Sequence, residues 1–234
     1  MRYLPEHQAA SIVLLGKFNP AIFSPAWLAK AGTITAGEAD SATIQVIHPE
    51  IAQFSVERFR FDVQKERFQI TTLMEPFIRI SDSIRTLFTD RLPHTPTSRM
   101  GINYELHFRL DSPEQRVALG RALAPIAPWG DFGVRLMGGD APKSIGGLAT
   151  LAMQESSPPD RASGYRRVQI EPLRQAQQLS SVRMHINDHY EIPDAEDHQG
   201  AVPLMELLND RFDPSISEAK AIVTQLMEFA SNVR

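Results

Sequence analysis

Residues 11–18, SIVLLGKF, form a compact apolar run of buried-strand length, closed by Asn19 and Pro20. Ser24 followed by Pro25 then reads as a helix start, because a serine hydroxyl accepts a free amide while proline in the first turn gives up no needed donor. That short helix should end near Gly32. Over residues 43–73 apolar positions alternate with polar ones: Ile44 and Val46, Phe54 and Val56, Phe59, Phe61 and Val63, then Phe68 and Ile70. Successive strand side chains point to opposite faces, so this stretch predicts a meander of three or four strands. The phase slips between Val56 and Phe59, which calls for a bulge or turn, and residues 64–66 make another turn. The period then lengthens. Phe77, Ile80, Ile84, Leu87 and Phe88 recur at three and four residues, one stripe of a helix that Pro93 and Pro96 terminate.

The second part of the chain repeats these rhythms. Ile102, Tyr104, Leu106, Phe108 and Leu110 stand at strict period two, with Asn103, Glu105, His107 and Arg109 opposite them. Ser112, Pro113 and Gln115 then open a helix with a capping box, running to about Ala124. Strands are expected near residues 132–138, 147–155, 164–171 and 181–191. Asp213, Pro214, Ser215 and Glu218 open a last helix with the stripe Ala219, Ile222, Val223, Leu226 and Phe229.

Each half therefore reads strand, helix, several strands, helix, which predicts an α+β protein of two similarly ordered halves, residues 1–97 and 98–234, forming one compact unit. A long helix that follows a meander lies across one face of it and leaves the other uncovered. This order of elements resembles the tandem repeat of TATA-binding-protein-like folds, which implies a shared sheet; fold likeness carries no function. The segments 125–147 and 192–213 have no counterpart in the first half.

Composition narrows the class. At 234 residues with 42% hydrophobic and 22% charged residues, the chain has ample material for a core. The net charge of −4 argues against a general nucleic-acid binder. With no cysteine there is neither disulfide nor thiolate site, as a reducing compartment permits, and the cytoplasm is the expected location. The N-terminal segment has no cationic region followed by a long apolar stretch, and no signal or membrane span is expected.

The densest polar cluster lies on the last expected strand, where period two puts Arg183, His185, Asn187, His189 and Glu191 on one face. Histidines sharing a strand face can share a metal, with Glu191 as an oxygen ligand and His107 reaching in from the first strand of the same half. The plainer reading is the solvated face of an antiparallel sheet, and no metal or cofactor is assigned. Asp188 falls in the apolar phase and should meet an arginine, a backbone amide or a bulge. Arg58, Arg60 and Arg67, with Arg166, Arg167 and Arg183, can give a sheet face positive potential and phosphate contacts, although interleaved acids favour ion pairing. The glycine pairs at 138–139 and 146–147 around Lys143 and Ser144 resemble a phosphate loop in the wrong order. There is no GxSxG, HExxH or GxGxxG.

The strings KFNPAIFSPAWL at 17–28, MGINYELHF at 100–108 and INDHYE at 186–191 resemble those of a set of uncharacterised bacterial proteins of similar length. The resemblance implies a bacterial origin and carries over no catalytic residue. Three functions follow as expectations: a non-catalytic binding or assembly protein docking a protein partner, a homodimer included, through an open sheet face or edge; a nucleic-acid binder using Arg58, Arg60, Arg67 and Arg167; or a metal-dependent enzyme centred on His185 and His189.

Overall fold

A computed structural model describes residues 3–137, 145–173, 179–192 and 200–233. The protein is α+β, with helices packed on a nine-stranded antiparallel sheet. In the first half, strand β1 (His7–Gly16) is followed by helix α1 (Pro25–Ala31), a short helix α2 (Ala36–Asp40), and strands β2 (Thr43–His48), β3 (Ile51–Ser55), β4 (Arg60–Gln64) and β5 (Arg67–Thr72). Helix α3 (Ile78–Arg85) closes it and widens into a π-helical turn over Thr86–Arg91. In the second half come β6 (Thr97–Arg109), α4 (Pro113–Leu123), α5 (Gly130–Met137), β7 (Leu151–Glu155), β8 (Gly164–Pro172), β9 (Ser181–Glu191) and the long α6 (Val202–Asn232). The strand order is β2-β3-β4-β5-β1-β6-β9-β8-β7, so the first strand of each half lies at the centre and the two pair along their length.

Local chemistry explains most boundaries. Ser24 Oγ accepts the Trp27 amide at 3.2 Å, Pro25 occupies the first turn, and Gly32 ends α1 in the left-handed conformation at φ 81°. The phase slip after Val56 is a turn, closed by the Val56 amide donating to the Phe59 carbonyl at 2.8 Å. Ser112 Oγ caps α4, while the Gln115 carboxamide oxygen reaches the amide of Asp111 rather than that of Ser112.

Two expected elements are corrected. Of the segment 132–138, read as a strand, residues 132–137 belong instead to α5, and residue 138 lies outside the described residues. Phe132 and Leu136 fall on one side under either a period of two or a spacing of four, and only tertiary contact decides; Val134 is left 65% exposed. The last helix does not open at Asp213. It begins at Val202 and runs through Pro214, because Leu204, Leu208, Phe212, Ser215, Ala219, Val223 and Met227 form one continuous buried stripe. Pro214 sits on the solvent side, where a proline lacks the amide for one helical hydrogen bond without leaving a buried gap in the ladder. Ile222 and Leu226 are only partly buried and Phe229 is exposed, so the packed stripe is rotated from the one expected.

The core lies between the sheet and α1, α3, α4 and α6. Ala10, Ile12 and Leu14 of β1 point into it, as do Met100, Ile102, Tyr104, Leu106 and Phe108 of β6 and Val182, Met184 and Ile186 of β9. Their alternating neighbours form the other face. Among the described residues no helix is long and apolar enough to cross a membrane.

Candidate functional site

The register of the central strands arranges the uncovered face in rows. One row runs His7, His107, Arg183, Glu171; the next runs Ala9, Glu105, His185, Gln169. A third carries Thr71, Ser11, Asn103, Asn187 and Arg167, and a fourth Gln69, Val13, Gly101, His189 and Tyr165. Along β1 the rows carry the small side chains of Ala9, Ser11 and Val13, with Gly101 beside them on β6, whereas β9 and β8 carry long or aromatic ones. The result is a groove of about 590 Å³, floored by Ala9, Ser11, Val13 and Gly101. A concavity of about 610 Å³ near Pro96 shares Leu15 and Arg67 with it.

On the second-half flank, charge is paired. Arg183 donates to Glu105 and, at 2.6 Å, to Glu171. Burial opposes ionisation of Glu105, but the hydrogen bonds from Arg183 and His107 hold its carboxyl below the usual range. His107 lies 3.1 Å from Glu105, and its ring is tilted against that of His7 with the centroids 4.7 Å apart. His185 is more enclosed, and burial, helped by Arg183, lowers its pKa. His189 lies 3.0 Å from Glu191 and stacks at 4.6 Å on Tyr165. Gly164 makes that stack accessible to the chain: at φ 131° a Cβ would sit 2.0 Å from the His189 carbonyl. Asn187 Oδ1 is buried without a hydrogen-bond donor among the described residues.

The structure gathers Arg183, His185, Asn187, His189 and Glu191 on one face with His107, but it separates the two histidines proposed to share an ion. Four strand residues span about 13 Å, beyond the reach of one metal. Among the described residues the group that does converge is His7, Glu105 and His107, with one ligand atom from each lying within 4.8 Å of the others. His7 went unnoticed because residues 7–10 lack an apolar rhythm; only its pairing with His107 reveals it.

The arginines are dispersed. Arg58 precedes β4 in a turn, and Arg60 pairs in register with Thr71, at the far end of β5 from Arg67. Arg67 bonds Gln69 and lies 3.9 Å from Asp62, while Arg167 donates to Gln154 and lies over Tyr165. Arg166 faces the helices instead, 3.3 Å from Asp188. Of the three partners expected for Asp188 it meets the first, arginine: Arg161 binds it at 2.5 Å, and Tyr190 donates to it at 3.1 Å. Burial would lower the pKa of Arg161, yet its bonds to Asp160 and Asp188 raise it. Residues 138–144 of the glycine-flanked loop lie outside the described residues.

No family model matches this sequence, and comparison with curated proteins gives no match.

Proposed function

We propose that this protein is a non-catalytic binding or assembly protein of the bacterial cytoplasm that docks a protein partner on its open sheet face. The observation that carries this reading is the groove itself: among the described residues helices cover one side of the sheet, and the other side offers a low floor between polar walls. The mirrored strand order supports an internal duplication as the origin of this wide face.

Phosphate recognition has less support. Arg183 is shared between two carboxylates, Arg67 has Asp62 beside it, and the Tyr165 ring is already stacked on His189, so among the described residues the face offers little free positive charge or free aromatic surface.

The test compares wild type with Ser11→Arg, which plants a long cation on the floor without entering the core. Light scattering after size exclusion and pulldown from the native host should give a defined complex, homodimer or heteromer, that the variant loses. A wild-type monomer recovering no specific partner, or a complex unaffected by Ser11→Arg, would overturn the proposal. Fluorescence anisotropy with single-stranded and duplex DNA and RNA at low salt should show no binding; salt-sensitive binding there would favour the nucleic-acid reading instead.

A further inference from the structure

At one end of the groove, β1 and β6 bring three metal-ligating side chains together from positions far apart in the chain. His7 and His107 are register partners, so their side chains rise side by side from neighbouring strands, and Glu105 follows one row along on β6. All three are partly buried, and one ligand atom from each falls within 4.8 Å of the others. We propose that His7, His107 and Glu105 form a binding site for a divalent transition ion of the zinc class, with at least one coordination position facing the groove.

The chemistry of the donor set supports this assignment. Two imidazole nitrogens and one carboxylate oxygen make the mixed set favoured by zinc and its first-row neighbours, and three protein ligands leave a fourth place open. A tetrahedral ion needs ligand atoms about 3.3 Å apart, given bond lengths near 2.0–2.1 Å, so side-chain rotation closes the site without moving the strands. Glu105 is already divided in the required way. One oxygen faces His107 at 3.1 Å, and the other is held by Arg183, which fixes the carboxylate while leaving the first oxygen for the metal. The Arg183 charge is countered by Glu105 and Glu171 together, so the trio carries one net negative charge. Ala9, the register partner of Glu105, contributes only a methyl group and keeps the space beside the carboxylate clear. An ion that binds both imidazoles as neutral ligands suits two rings whose centroids lie 4.7 Å apart beside a carboxylate.

This proposal does not depend on the docking reading, because metal binding is measured without a partner. The experiment titrates protein purified without a polyhistidine tag with Zn²⁺ by calorimetry and with Co²⁺ by visible absorption. The expected result is one ion per chain, with d–d bands reporting nitrogen and oxygen ligands in a low-coordinate site. His7→Ala, His107→Ala and Glu105→Gln should each weaken binding by at least about tenfold, the lower bound seen for disturbing even an outer partner of a metal ligand. His48→Ala, at the exposed edge strand, should bind as wild type does. Circular dichroism melts confirm that each variant is folded; His7→Ala, on a partly exposed side chain, is the safest of the three. No stoichiometric binding, equal affinity in His7→Ala, or an equal loss in His48→Ala would each overturn the site.

Discussion

Beneath β5, the Phe68 ring lies between 5.1 and 6.3 Å from the rings of Phe18, Phe23, Phe61 and Phe88. Beneath β9, on the other side of the sheet centre, stands Asp188, held by Arg161 and Arg166, with Arg161 lying 4.0 Å over the Tyr190 ring and Tyr190 in turn touching Ser215 at 2.8 Å. Arg161 and Asp188 are as enclosed as the phenylalanines, their side chains 3% and 2% exposed. The aromatic cluster gains stability from burial alone, in proportion to the area removed from water. The ionic knot gains little on balance, because desolvation offsets the attraction, yet it punishes the loss of either partner. The first half is thus stabilised by bulk and the second pinned in place by complementarity.

Truncation should expose that contrast most strongly in the first half. Phe68→Ala is expected to cost about 3–5 kcal/mol, read from urea denaturation, since it leaves a void where four rings meet. Arg161→Met should cost about 3 kcal/mol, near the lower bound for breaking a buried pair, because Arg166 still reaches Asp188. A variant at Phe68 that cost less than one at Arg161 would reverse the comparison.

Smaller changes sharpen it. Tyr190→Phe keeps the ring and removes the hydroxyl between Asp188 and Ser215, for an expected loss of about 1–2 kcal/mol. Burial pushes the Tyr190 phenol up to about 12, so this loss should be unchanged between neutral pH and pH 9. Asp160, at the rim of the knot, should matter least. Its hydrogen bond from Arg161 lowers its pKa below the ordinary 3.8. A lowered carboxylate stabilises the fold above its unfolded pKa and loses that contribution as pH falls through the folded value. Asp160→Asn should therefore be less stable than wild type by about 1 kcal/mol at pH 7, with the two converging in acid below pH 3.8.

How legible each region was depended on whether its cause was local. The strand of residues 181–191 was readable to the residue, since Val182, Met184, Ile186 and Tyr190 alternate with polar neighbours, Asp188 being the break in the pattern. The cap at Ser24 and the turn after Val56 were readable because each is settled within four residues. Pro214 misled because a proline start signal and a tolerated proline on the wet side of a helix look alike until the stripe on both sides is followed. Asp188 announced its need for a partner by its phase, but Arg161, 27 residues away in a connecting segment, carried no mark of being that partner. The His7 pairing was hidden for the same reason: register between distant strands is a tertiary fact, absent from any local window.

The placement of β1 also orders the events of folding. Strands β2 to β5 are joined by short turns, so each pairing closes a small loop and can form as soon as the next strand leaves the ribosome. β1, synthesised before them, has no neighbour until the chain has passed Arg67, and its second edge stays open until residues 97–109 arrive. Through that interval Ile12 and Leu14 form part of a sticky, unpaired segment of the nascent chain. β1 is the keystone of the finished sheet, because one of its edges carries the last strand of the first-half meander and the other carries the first strand of the second half.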